Sequence, residues 1–181
     1  MNELTQTIQQ AQNGSLPAFK ILVEQHQDFL YRVAWRLLLN KQDAEDAVQE
    51  CFIRVWQNLR RFDANKKFTT WMYKIIVNLC YDRLRAQQRP GGRNDDIDET
   101  VIEAPESLEK IIQNKEITAV ILQLLTTLPP KQRTVLTLRD FEDRDMEEIA
   151  ALLQISNQAV KSNLFVARKQ LREKLLEYNA L

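Results

Sequence analysis

Apolar residues recur along this chain every three or four positions and seldom alternate one by one, the period of helices packed on a core rather than of strands. Asn13, Gly14 and Ser15 punctuate a short first helix, and Ser15 is placed to cap a long one over 16–39 with Phe19, Leu22, Val23, Leu30, Val33 and Leu37 inward. After a turn at 40–42, Ala44, Val48, Cys51, Phe52, Val55 and Leu59 mark a second long helix over 43–59. Residues 60–68 read as a loop. Thr69 or Thr70 is expected to cap a third helix to about 87, burying Met72, Ile75, Ile76, Leu79 and Leu84. The following segment, RPGGRNDDIDETVIEAPE, breaks helices with its Pro-Gly-Gly and has little to bury. Helical periodicity resumes over 107–128, is stopped by Pro129 and Pro130, and continues over 131–141. The expected fold is all-α: two small helical domains, 1–89 and 107–181, joined by a flexible acidic linker at 90–106.

The sharpest local pattern lies near the end. In RDMEEIAALLQI, Met146, Ile149, Ala150 and Leu153 make one apolar face, and Ser156 can cap a further helix from Asn157. There Val160, Leu164, Ala167, Leu171 and Leu175 turn inward, leaving Gln158, Lys161, Ser162, Phe165, Arg168, Lys169 and Arg172 on the other face. Helix, short turn and helix with a polar, cationic outer face describe a helix-turn-helix whose second helix suits a major groove. A plain helical hairpin shares the same periodicity.

Composition narrows the reading. With 44% apolar residues, 28% charged residues and three glycines, the chain is expected to fold and to be helical rather than disordered. No run approaches the roughly 20 apolar residues of a membrane span, and MNELTQTIQQ lacks a signal-peptide pattern, so no membrane insertion and a cytoplasmic location are expected. Cys51 and Cys80 sit at apolar helical positions without CxxC or Cys/His spacing, which fits buried thiols; a redox switch is the alternative. The single histidine, His26, has no nucleophile or carboxylate constellation beside it. No catalytic residue, metal site or cofactor is expected, and the chain reads as a non-enzyme.

The net charge of zero conceals strong segregation. Between Arg54 and Arg93 there are ten basic residues and two acidic ones; between Asn94 and Glu116 eight acids face two lysines. From Asn157 to Lys174 the balance is basic again, five to one. Two cationic stretches either side of an acidic one fit two contacts with a polyanion, although solvated helix faces give the same count.

Two passages carry a resemblance. DAEDAVQECFIRVWQNLRRFDANKKFTTWMYKIIVNLCYDRLR is similar to region two of the extracytoplasmic-function sigma factors, the smallest members of the sigma-seventy family, and LPPKQRTVLTLRDFEDRDMEEIAALLQISNQAVKSNLFVARKQLR to their region four. The resemblance implies a transcription initiation factor that binds core RNA polymerase at the clamp of the largest subunit and at the flap, and that recognises promoter DNA. On this chain it places clamp contacts at Asp43, Asp46, Gln49 and Glu50. Recognition and melting of the minus-ten element would fall to Phe62, Asn65, Lys66, Lys67, Phe68, Trp71, Tyr73, Lys74 and Asn78, since an extruded base is held by stacking and hydrogen bonds. Some of these aromatics are expected in the core, Trp71 first among them. Arg83 and Arg85 would meet duplex phosphates. Region four would read the minus-thirty-five element through Gln158, Lys161, Ser162, Phe165, Arg168, Lys169 and Arg172. The chain has Asn163 and Val166 where family members often carry arginine, and Gln154 where a glycine is common at the turn. An anti-sigma factor is the further partner implied. The rival reading is a stand-alone helix-turn-helix regulator, which has no need of a clamp-binding face or a melting loop.

Overall fold

A computed structural model describes residues 3–63, 66–88 and 115–179 of the chain. Every regular element among them is helical. The chain divides into two compact units, Met1–Cys80 and Tyr81–Leu181. The expected linker at 90–106 and the predicted helical residues 107–114 lie outside the described residues.

The first unit begins with α1 (Glu3–Gln12) and α2 (Leu16–Leu38), separated by Gly14 at φ +93°, a conformation that favours glycine. Ser15 caps α2 as its pattern predicts, its hydroxyl accepting from the Ala18 N–H at 3.3 Å. α3 (Lys41–Asn58) starts two residues earlier than expected because Asn40 serves as cap, its side chain accepting from the Asp43 N–H at 2.9 Å. A 3-10 turn, Leu59–Arg61, follows. Gln12 reaches across from α1 and donates to the carbonyls of Leu59 and Phe62, both at 3.0 Å, which pins the chain as it leaves that turn.

α4 (Phe68–Gln87) runs past the division between the units. It starts at Phe68, so Thr69 and Thr70 lie inside its first turn and neither is the cap; Trp71 N–H returns instead to the Lys67 carbonyl at 3.2 Å. Leu22, Leu30, Leu37, Leu59, Met72 and Ile76 are fully buried and form the centre of this core. Burying side chains of this size stabilises by about 1.5–3 kcal/mol each, far more than any single surface pair. His26 is buried with them, its Nδ1 at 2.8 Å from the Leu22 carbonyl and its ring edge-on to Phe68, so it is a satisfied core residue.

The second unit holds α5 (Lys115–Thr126), α6 (Pro130–Leu136), α7 (Met146–Leu153) and α8 (Asn157–Asn179). The prolines do more than stop α5: Pro130 occupies the first turn of α6, where its missing N–H has no partner to lose and its fixed φ favours a helix. α6 gives way to a π-helical turn, Thr137–Phe141, in which Glu142 N–H returns to the Thr137 carbonyl at 3.1 Å. α8 packs on α5, α6 and α7. Leu125, Leu128, Val135, Leu136, Leu138, Ile149, Val160 and Ala167 form the core between them.

Candidate nucleic-acid and polymerase interfaces

α3 is two-faced by sequence. Ala44, Ala47, Cys51, Phe52 and Val55 are buried, and the helical repeat therefore turns Asp43, Asp46, Gln49 and Glu50 toward the opposite side. The structure brings these four onto one face, with Asp46 and Gln49 exposed and Asp43 and Glu50 half-buried. Glu50 is engaged by the Arg54 guanidinium at 2.8 Å, and Asp46 and Gln49 are the more exposed pair. Behind this face the Cys51 thiol donates weakly to the Met72 carbonyl, and its pKa is pushed up to about 12, first by burial, with Arg54 opposing and Glu50 adding. A thiol so placed is packing, not a reactive group.

The loop and start of α4 correct the expectation about aromatics. Phe62, Phe68 and Tyr73 are buried, and Trp71, the one expected to turn furthest inward, is only half-buried. Phe62 meets Phe68 edge-on at 5.4 Å between ring centres and lies tilted on Trp71 at 4.8 Å, while Tyr73 stacks on Phe29 at 5.9 Å. Phe68 and Tyr73 thus hold the loop to the core and offer no open face to a base, while Phe62, also largely buried, still borders an open concavity. Lys66, Lys67 and Lys74 are exposed and Asn78 is half-buried; Asn65 lies outside the described residues. Further along α4, Arg85 is exposed, its guanidinium 5.7 Å from the centre of the Tyr81 ring, while Arg83, about 200° round the helix, is half-buried. The two therefore do not share one face.

Three residues without a role in the sequence pattern complete this surface. Arg54, Asn58 and Arg61 line this concavity with Phe62, Trp71, Ile75 and Asn78. They stand at i, i+4 and i+7 from the end of α3 into the 3-10 turn, a spacing that could have flagged them. The concavity so combines two guanidiniums, two amides and the ring pair of Phe62 and Trp71, groups able to hydrogen-bond and stack on a base.

In the second unit a reciprocal cap starts α7: the Glu148 N–H donates to Asp145 Oδ1 at 2.7 Å and the Asp145 N–H to Glu148 Oε2 at 3.4 Å. α7 ends at Gln154, which is left-handed at φ +54° and sends its N–H back to the Ala150 carbonyl. Ser156 then caps α8, its hydroxyl accepting from the Ala159 N–H at 3.1 Å. Leu152 is buried where Leu153 was expected to be, and Leu153 is half-buried. On α8 the seven predicted groove residues, Gln158, Lys161, Ser162, Phe165, Arg168, Lys169 and Arg172, are all exposed, Phe165 by 70%. Asn163 instead donates to the Ala159 carbonyl at 2.7 Å and is folded back on its own helix.

Comparison with known proteins settles the family. The sigma-70 region 2 model matches residues 22–90 and the sigma-70 region 4 model residues 118–171. The chain is 32% identical to the ECF RNA polymerase sigma factor SigW of Bacillus subtilis, over 93% of this chain and 94% of that one. It is 33% identical to the RNA polymerase sigma-H factor of Pseudomonas aeruginosa, over 94% and 92%. The chain belongs to the extracytoplasmic-function sigma factors. Among solved structures it resembles CnrH in complex with the cytosolic domain of CnrY, at 26% identity and a TM-score of 0.62 over 94% of this chain and 96% of that one. At 21% identity and a TM-score of 0.65, over 87% and 96%, it shares the fold of the sigma factor RpoE from Bartonella quintana, solved with the anti-sigma factor NepR.

As a sigma factor the chain is a transcription initiation factor. The region 2 match runs from α2 through α4, so it carries both the α3 acid-amide face and the Trp71 concavity, and α1 lies ahead of it. The region 4 match contains α7, the turn and α8 as far as Leu171. Among the described residues no His, Cys, Asp and Glu side chains group as metal ligands, and no helix is long and apolar enough to cross a membrane.

Proposed function

We propose that this sigma factor directs core RNA polymerase to its promoters through three separate surfaces, acting as a specificity subunit and not as an enzyme. Asp46 and Gln49, flanked by Asp43 and Glu50, dock on the clamp of the largest subunit, where an acid-amide face on an otherwise cationic domain suits protein better than DNA. Trp71, Asn78, Arg54, Asn58 and Arg61, with Lys66, Lys67 and Lys74 at the rim, hold the opened minus-ten strand; Arg83 and Arg85 act on duplex phosphates at different faces. The outer face of α8 enters the major groove of the minus-thirty-five element. The domains so used span 1–89 and 107–181, with 90–106 as linker. The chain is restrained by an anti-sigma factor, a class of partner with which the similar sigma factor RpoE was solved, and it works in the cytoplasm, where polymerase is.

The observation that supports this reading most strongly is the presence, in one chain and in this order, of a region 2 face suited to polymerase and a region 4 helix with seven exposed groove residues. Size-exclusion chromatography with bacterial core polymerase tests it. Co-elution that Asp46→Arg abolishes is the expected result; a chain that binds duplex DNA yet elutes apart from core enzyme is a stand-alone regulator.

A further inference from the structure

One polar contact in the second unit joins residues 28 positions apart, on α8 and in the π-helical turn. Arg168, on the outer face of α8, donates from Nε to Asp140 Oδ2 at 3.1 Å and from Nη2 to Asp140 Oδ1 at 2.5 Å. The hydrogen bond to Asp140 is also the first reason the guanidinium holds its proton more tightly than usual. Asp140 sits in the π-helical turn. One residue inserted into a helix rotates every later side chain by about 100°, so this turn governs where the carboxylate points.

The pairing is side-on, through Nε and one terminal nitrogen. It leaves both hydrogens of Nη1 and the second hydrogen of Nη2 directed away from Asp140, and these terminal donors form the fork that matches O6 and N7 of guanine. The Arg168 side chain keeps 55% of its exposure, and Arg168 lines an open concavity with Met146, Lys161, Phe165, Lys169 and Arg172. An exposed ion pair adds little to stability. Its effect on Arg168 is larger: the rotamer is fixed and the charge locally cancelled, so the residue is poor at collecting phosphates and well set to read an edge. Lys161 and Arg172, exposed on the same helix face, keep the phosphate role.

We infer that Asp140 is a positioning residue that converts Arg168 from a phosphate contact into a reader of one guanine in the upstream promoter element. This rests on the reading of α8 as the groove helix. The test uses the full chain assembled on bacterial core polymerase and a promoter library randomised across the upstream element, with affinity measured against salt. The wild type selects a guanine at one position. Arg168→Ala removes that preference and leaves the salt slope unchanged, whereas Lys161→Ala lowers the slope by about 0.9 and keeps the preference. Asp140→Asn, which preserves shape, reduces the guanine preference about tenfold and steepens the slope by about 0.9, because a freed guanidinium now finds phosphate. Asp140→Glu restores part of the preference. A merely structural Asp140 would weaken all sequences alike and leave slope and preference in place, and that outcome overturns the inference. A wild type that selects an element without a guanine dependent on Arg168 overturns it too, while the groove reading survives. Selection of no upstream element at all overturns both.

Discussion

Gln154→Gly should stabilise the second unit, although it deletes a side chain from the turn of the helix-turn-helix. Gln154 sits at φ +54°, ψ +46°, a left-handed conformation that costs a residue with a Cβ about 1–2 kcal/mol. Its side chain is exposed, so little packing is lost with it. Glycine removes the steric penalty but brings a more flexible unfolded chain, worth about 0.5–1 kcal/mol in the other direction. The net gain is about 0.5–1 kcal/mol, a rise of roughly 2–6 °C in midpoint for a unit near 100 residues. The control is Ala151→Gly, an exposed interior position of α7, where the same residue should lower stability by about 1 kcal/mol. Assignment to a unit is straightforward. All three tryptophans, Trp35, Trp56 and Trp71, lie in the first unit, so fluorescence reports on it while circular dichroism reports on both. Thermal melts should show the dichroism transition moved up by Gln154→Gly and down by Ala151→Gly, with the fluorescence midpoint unchanged. A lower midpoint for Gln154→Gly would refute the argument from backbone strain.

Three other outcomes are expected of the same structure. Phe62→Ala should destabilise the first unit by about 3–5 kcal/mol, since it removes a buried ring from contact with Phe68 and Trp71, whereas Trp71→Ala should cost less stability and more promoter opening; denaturant titration and permanganate reactivity of promoter thymines separate the two. Asp46→Arg should weaken core polymerase binding at least about tenfold, measured by fluorescence anisotropy, with an unchanged dichroism spectrum; equal affinity would remove Asp46 from the docking face. Cys51 should resist Ellman's reagent at pH 8 until the chain unfolds. Because burial raises its folded pKa to about 12 from an ordinary 9.0, the thiol's contribution to stability is complete below pH 9 and is lost as pH climbs toward 12. Rapid labelling of Cys51 in the folded chain at pH 8 would contradict the burial argument.

Elements built on local chemistry were legible in the sequence. Ser15 and Ser156 cap the helices they precede because a hydroxyl beside a free N–H is a local decision. The exposed face of α8 could be read equally well from its inward stripe. Where the structure departs, a choice between satisfactory partners or a distant contact is responsible. Thr69 and Thr70 are good caps that went unused once the chain reached Phe68 already turning, and Pro130 opens a helix as readily as a proline ends one. The burial order of the aromatics over 62–73 was not legible because it depends on α2: Phe29 and His26 cover Tyr73 and Phe68, and no periodicity within α4 reports that. The Asp140 and Arg168 pair is invisible for the same reason, being the product of a π-helical turn and a separation of 28 residues.

At the centre stands one claim, that this chain gives promoter specificity to a polymerase that otherwise lacks it. Transcription run-off with purified core polymerase and fragments of the source genome measures it directly. Discrete transcripts that appear only when the chain is added, and that vanish with Asp46→Arg while the Lys161→Ala chain needs lower salt to produce them, are the predicted result. Transcripts identical with and without the chain, from a polymerase shown to be active with another sigma factor, would contradict it.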